Sequence, residues 1–335
     1  MNPLGAARSL EPFGSLPQAA LRLDPHPPLY ADETWIEVEK LHIDSASFRQ
    51  LQENGGASDA AMAQQIESIV AARGKMQNPV TGSGGMLLGA VREIGPEAPR
   101  RFQAGDRIAT LVSLTLTPLQ VSKIKNIDRQ RGQIEVEGRA ILFSSAPAVK
   151  MPEDFSEAAA LAIFDVCGAP AWVRRLAADR RRILILGAGK SGVLSAAAAA
   201  EANPEAEIRI SDRSASALER AMTLGFAKGA VQADAQIPEK FLQELEKSDP
   251  STFDLVVNTC NAPETESAAI LAAAPGGRIL FFNMATQFSR AVLSAEGLGR
   301  DVELWMGNGY AEGHAEAALD LVRRHASLRR FFERK

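Results

Sequence analysis

Cysteine and histidine are scarce in this chain, with two and four residues among 335. Cys167 and Cys260 stand far apart in sequence, which fits small buried apolar roles in a reducing compartment better than a disulfide, and makes the cytoplasm the expected location. Together with His26, His42, His314 and His325 they reproduce no metal-ligand spacing, so no metal is expected. No run approaches the 18 apolar residues of a membrane span. The first 30 residues mix Arg8, Glu11, Arg22 and Asp24 with prolines and hold no apolar core of a secretory signal. A long basic block is also missing, and 37 Lys and Arg against 41 Asp and Glu give a net charge of -4. That balance argues against nucleic acid as the main partner. Neither an internal repeat nor a low-complexity tract is visible.

What is present begins with Arg182-Ile183-Leu184-Ile185-Leu186-Gly187-Ala188-Gly189-Lys190-Ser191-Gly192, followed by Ile208-Arg209-Ile210-Ser211-Asp212. It reads as strand, glycine turn, helix, strand and acid, the order of a dinucleotide site. Gly187 suits the tight turn, Gly189 lets the backbone approach a pyrophosphate, and Gly192 lets helix and strand pack closely. Lys190 and Ser191 open a helix whose free N–H groups and positive dipole end suit phosphates. Asp212, 20 residues past Gly192, stands where a carboxylate accepts from ribose hydroxyls. Gly-Lys-Ser also ends a Walker A loop, but that motif needs glycine at position 184, which is Leu184. Asp212 favours NAD, while Arg213 could hold the 2′-phosphate of NADP, so NAD is expected with NADP as the alternative.

From residue 183 onward, strands are predicted near 183–186, 208–210, 229–232, 253–258, 278–283 and 302–306. Helices are predicted near 190–202, 214–224, 238–247, 264–273, 288–299 and 312–325. This alternation is that of an α/β Rossmann domain, a doubly wound parallel sheet with strand order 3-2-1-4-5-6, over residues 151–335. Ligands bind beyond the carboxyl ends of such strands, which nominates Asn258, Thr259, Asn283, Met284 and Asn308 as further cofactor contacts. Residues 1–150 read as a separate, mostly β domain. Period-two alternation marks a strand at Thr34–Glu39 and another lies at 140–143, while 58–73 is an amphipathic helix. Residues 151–176 look like a helical crossing between the domains.

Phe102-Gln103-Ala104-Gly105-Asp106-Arg107-Ile108, preceded by Gly89-Ala90-Val91-Arg92-Glu93-Ile94-Gly95, resembles the medium-chain dehydrogenases and reductases. The crossing after Pro152 and the Pro275-Gly276-Gly277-Arg278 turn fit the same superfamily. The resemblance implies a GroES-like β domain before the Rossmann domain, an active site in the cleft between them, and a homodimer paired through the sixth strand. The loop 43–48 and Gly82-Ser83-Gly84-Gly85 stand where zinc members carry ligands, and offer none.

A narrower resemblance lies in the blocks 44–48, 73–87, 109–119, 137–143, 165–171, 307–310 and 313–316, which look like the L-erythro-3,5-diaminohexanoate dehydrogenases. It implies NAD(P)-dependent oxidative deamination at C3 of the substrate, as in lysine fermentation, giving 5-amino-3-oxohexanoate, ammonia and reduced cofactor. Oxidising an amine leaves an iminium that a carboxylate can stabilise, so acidic residues without a metal suit the reaction. Asp165, in the apolar stretch 161–166, and Asp44 are the candidates for ammonium binding and proton transfer. Arg73 and Lys75 are the candidates for the substrate carboxylate, with Asn78 and Ser83 as neutral partners.

Structural alternatives stand beside these roles. Asp165 reads equally as a helix cap or interdomain acceptor, Asp44 as a turn former, Arg73 and Lys75 as solvated residues after a helix, and Gly82–Gly85 as a bend in a barrel strand. Two other functions fit the fold: a zinc-free quinone or enoyl reductase, and a non-catalytic nucleotide-binding protein. The acids at 44 and 165 count against the first, and the intact fingerprint against the second.

Overall fold

The computed structural model describes residues 3–55, 58–111, 113–248 and 251–334. Val112, inside the block 109–119, lies outside them. The chain divides into two compact units, Met1–Leu161 and Ala162–Lys335.

In the first unit six strands form an antiparallel sheet in the order Leu119–Asp128, Gln133–Phe143, Glu33–His42, Met86–Ile94, Arg107–Thr110 and Ala148–Lys150. Period-two alternation sets the central strand, sending Ile36 and Val38 into the core while Glu37 faces outward. The helix Asp59–Arg73 starts at Ser58, whose side chain accepts from the Ala61 N–H at 3.2 Å. It ends at Gly74 (φ 62°), whose N–H closes on the Val70 carbonyl. Met62, Ile66 and Val70, spaced four apart, bury one stripe against the sheet core. Truncating Ile66 to Ala would cost about 2–5 kcal/mol.

The segment 43–48, expected as a loop, opens a helix instead: Ser45–Gly55. Asp44 caps it, its Oδ1 accepting from the Ser47 N–H at 3.0 Å. Phe48 and Leu51, three residues apart, then reach the core. An Asp-Ser pair starts a turn or a helix by the same bond, and the apolar spacing after it decides. Gly82–Gly85 is a turn ahead of the strand Met86–Ile94 rather than a bend within one.

In the second unit the six parallel strands run in the order Gly229–Gln232, Glu207–Asp212, Arg182–Leu186, Phe253–Asn258, Ala273–Phe281 and Val302–Met306. This is the expected 3-2-1-4-5-6. The apolar run Ile183 to Leu186 is buried on both faces of the first strand, as a central parallel strand requires. The fifth strand begins earlier than 278 because an irregularity interrupts its pairing, Phe253 facing Ala273 and Leu255 facing Arg278. The Pro-Gly-Gly-Arg segment supplies it, with Gly276 at φ 71°. A helix missing from the sequence reading, Ala326–Glu333, follows His314–Arg324; it turns Leu328 and Phe332 inward and its arginines elsewhere. No described helix is long and apolar enough to cross a membrane.

Candidate functional site

The glycine loop of the second unit is built by close approach on one side and open space on the other. A methyl group on Gly192 would stand 1.8 Å from the Gly187 carbonyl oxygen, so only glycine lets helix Lys190–Ala202 leave the strand at this angle. Gly187 holds φ at 97°, and its N–H donates to the Ser211 carbonyl at 2.7 Å. Gly189 is different. A methyl group there would meet nothing within 4 Å, and no side chain caps the helix it precedes. The helix therefore presents free N–H groups at an exposed glycine, flanked by half-exposed Ser191. This cradle fits a pyrophosphate.

Asp212 ends the second strand with both carboxylate oxygens engaged on backbone. Oδ2 accepts from the Ala188 N–H and Oδ1 from the Ser214 N–H, each at 2.8 Å. The acid thus joins the glycine loop to the start of the next helix and leaves each oxygen a second lone pair for a ribose hydroxyl. Beyond it, Arg213, Gln232, Asp234 and Lys240 line a cavity of about 470 Å³. Arg213 was legible in sequence from its place beside Asp212; Asp234 and Lys240 were not, because only the fold sets them past the third strand.

Thr259 follows the fourth strand and braces the loop, its hydroxyl donating to the Leu186 carbonyl at 2.8 Å. Asn258 is fully buried; its amide donates to Thr265 Oγ1 at 2.8 Å and its Oδ1 accepts from the Cys260 N–H at 3.1 Å, so it shapes the loop from within. After the fifth strand, Asn283 has both amide atoms buried without a hydrogen-bond partner, while Met284 is exposed. Asn308, after the sixth, accepts the Trp172 indole N–H on its carbonyl at 3.2 Å and the Tyr310 N–H on its Oδ1 at 2.8 Å. Gly168 allows the same approach, since a methyl group there would stand 2.7 Å from the Gly309 carbonyl oxygen.

Asp165 lies in the turn between the helices Glu157–Phe164 and Gly168–Ala177. Its Oδ2 accepts from Lys190 Nζ at 3.1 Å, so an acid stands beside the first residue of the helix that follows the glycine loop. Sequence spacing alone, 25 residues, carried no sign of that pair. Burial, with Asp165 next in effect, pushes the neighbouring Cys167 thiol far up, and burial pushes Cys260 up to about 12. Both thiols stay protonated and unreactive at neutral pH. Burial lowers the pKa of His314, whose Nε2 is enclosed without a hydrogen-bond partner.

In the first unit the turn 78–83 gathers most of the other candidates. Asn78 is fully buried, donating to Gln50 Oε1 at 2.6 Å and accepting the Val80 N–H at 2.8 Å, so its amide is spent on the turn and on helix Ser45–Gly55. Ser47 and Thr81 share a hydroxyl bond of 2.7 Å across the same contact. Asp44 sits at that helix start with Oδ2 buried and without a hydrogen-bond partner. Arg73 donates to Gln77 Oε1 at 3.2 Å, and Gln77 donates to the Gly82 carbonyl at 3.3 Å, which brings a half-buried guanidinium close to the Gly82-Ser83 corner. A cation and an anion therefore flank one turn.

Lys75 is not a solvated residue. It is fully buried, with Nζ donating to the carbonyls of Pro17 at 2.9 Å and Gln18 at 3.4 Å, and burial, helped by Arg73, brings its pKa down to about 8. A larger cavity, about 1170 Å³, opens on the first unit's sheet among Trp35, Glu37, Glu39, Lys40 and Glu157. Surface ion pairs occupy it, such as Lys40 with Glu157 at 2.5 Å, and no candidate residue lines it. We attach the chemistry to the glycine loop, where free N–H groups converge.

Residues 7–152 match a family described as the L-erythro-3,5-diaminohexanoate dehydrogenase N-terminal domain. The chain is 41% identical to the L-erythro-3,5-diaminohexanoate dehydrogenase of Acetoanaerobium sticklandii, over 98% of this chain and 97% of that one. It is 42% identical to the enzyme of the same name from Fusobacterium nucleatum subsp. nucleatum, over 98% and 96%. Among solved structures it resembles an Escherichia coli alcohol dehydrogenase complexed with NADH (TM-score 0.56, 16% identity, 89% of this chain and 82% of that one). Galactitol-1-phosphate dehydrogenase from Escherichia coli is similar too (0.54, 15%, 89% and 84%), as is the CurK enoyl reductase (0.53, 17%, 92% and 79%). These structural likenesses speak for the fold.

Proposed function

The chain belongs to the L-erythro-3,5-diaminohexanoate dehydrogenase family, and on that premise we propose that it catalyses the NAD(P)-dependent oxidative deamination of L-erythro-3,5-diaminohexanoate. The products are 5-amino-3-oxohexanoate, ammonia and the reduced cofactor. The observation that carries the proposal is the carboxylate of Asp165 held 3.1 Å from the ammonium of Lys190, at the opening of the dinucleotide helix.

Gly187, Gly189, Ser191 and Gly192 hold the pyrophosphate in this reading, Asp212 takes the adenosine ribose, and Asn258 and Thr259 keep the loop in shape. Asn283, Met284 and Asn308 stand on the nicotinamide side, beyond the fourth to sixth strands. A bound nicotinamide would supply the acceptor for the hydride that leaves C3 of the substrate. Asp165 binds the C3 ammonium and takes the proton the amine must lose; once that proton has passed to solvent, the carboxylate is again an anion and stabilises the iminium that water then hydrolyses. Asp44 binds the second ammonium. Arg73 and Ser83 meet the carboxylate; Lys75, whose ammonium is spent on two carbonyls, is left out of that role. We infer NAD as the preferred form, because a 2′-phosphate would sit against the Asp212 carboxylate, with Arg213 and Lys240 as the opposing influence. We also infer a homodimer, since the sixth strand lies at the sheet edge with Trp305 and Met306 exposed, and a cytoplasmic setting, in keeping with two free cysteines.

The test is to supply the substrate with NAD or NADP and follow the absorbance of the reduced nicotinamide. Turnover faster with NAD supports the reading. No reduction of either cofactor would sink it.

A further inference from the structure

The geometry points to Lys190 as a positioning residue that makes the substrate's ammonium site conditional on the cofactor's pyrophosphate, an inference that rests on the reading of Asp165 as the ammonium-binding carboxylate. Lys190 is the first residue of helix Lys190–Ala202, and its stem rises from the loop where phosphate N–H donors converge. Its ammonium nevertheless turns to Asp165, at 3.1 Å; the lysine side chain keeps 34% of its exposure and the aspartate 15%. In this arrangement the carboxylate that would meet a substrate ammonium already carries a cation. An incoming ammonium must displace Lys190 or crowd against its charge.

A pyrophosphate at Gly189, the residue before this lysine, supplies a stronger competing anion. Gly189 leaves room for it, with nothing within 4 Å of where a methyl group would stand. The lysine stem is flexible and its ammonium is partly exposed, so reorienting it takes no repacking of the core. Turning toward the phosphates, Lys190 withdraws its charge from the Asp165 carboxylate, which then meets the substrate's ammonium. Cofactor then binds first and substrate second, and by linkage each raises the other's affinity by the same factor.

Calorimetry of 3,5-diaminohexanoate binding tests this without turnover, using ADP-ribose, which carries the pyrophosphate but no nicotinamide. Wild-type enzyme should bind the substrate about ten-fold more tightly when saturated with ADP-ribose than alone. Lys190→Met, free of ligand, should already bind it as the ADP-ribose complex of wild type does, and Lys190→Arg, which keeps a mobile cation, should restore the dependence. Wild-type affinity that ignores ADP-ribose would overturn the inference whatever the variants do, as would a Lys190→Met protein that binds no better than ligand-free wild type. Absence of substrate binding in every state would overturn the proposed function, and the inference with it.

Discussion

Two glycine-rich segments, 73–87 and 187–192, each carry a lysine, and they use these residues in opposite ways. In the first, methyl groups on Gly84 and Gly85 would stand 2.2 Å from the Met76 carbonyl oxygen and 2.0 Å from that of His42, so these glycines exist to let backbone meet backbone. Lys75 is sealed under residues 17 and 18. In the second, Gly192 packs in the same manner and Gly187 against the Thr259 hydroxyl, but Gly189 faces open space and Lys190 is partly exposed, paired with Asp165. Open space alone does not mark a ligand surface, since Gly82 of the first segment also meets nothing within 4 Å; what sets Gly189 apart is the helix it precedes, whose N–H groups no side chain caps. The segment 73–87 is therefore chiefly a scaffold that poses Asp44 and Arg73, while the fingerprint offers helix N–H groups of the kind that suit a phosphate.

Substitutions on either side can break this contrast. The largest effect is expected at Gly192→Ala, where a methyl group 1.8 Å from the Gly187 oxygen must push the helix off its strand. Affinity for ADP-ribose should fall about 100-fold, displacement by an ångström being enough, and unchanged affinity would remove the close-approach argument. Asp165→Asn should lower kcat/KM by about 100-fold or more while ADP-ribose binding persists; wild-type turnover would take Asp165 off the site. In the scaffold block, Gly85→Ala forces a side chain onto φ 103° and into the His42 carbonyl. It should cost about 2–3 kcal/mol in denaturant unfolding with cofactor affinity kept. A loss of cofactor affinity instead would blur the distinction drawn above.

The effect spread over the widest range of conditions concerns Lys75 and pH. Its amine drops from the ordinary 10.5 to about 8, so between those values the unfolded chain holds a proton that the folded chain has shed. This contribution to stability is therefore complete above 10.5 and is lost as pH falls through 8, to the extent of about 3 kcal/mol. Wild type should gain on Lys75→Met, in unfolding free energy, as pH rises through that window. A difference that stays flat would place the amine in water, and a raised substrate KM in the variant would return Lys75 to the site.

Strand order and the glycine turn could be read from sequence because both rest on local rules: apolar runs bounded by turns, and glycines at fixed spacing before a helix. The helix Ser45–Gly55 escaped because Asp44-Ser45 signals a turn as well as a cap, and the outcome hangs on Phe48 and Leu51 finding a core that only the folded sheet supplies. The burial of Lys75 escaped for the same reason. Nothing near it in sequence announces that residues 17 and 18 return to cover it. Likewise the Lys190–Asp165 pair joins a helix start to a turn between two other helices, a meeting that only the fold produces.

Deamination is tested by counting ammonia against reduced nicotinamide in a single turnover mixture of enzyme, NAD and 3,5-diaminohexanoate. One ammonia for each reduced cofactor is the predicted result, with both signals lost together in Asp165→Asn. Cofactor reduction without ammonia would contradict it.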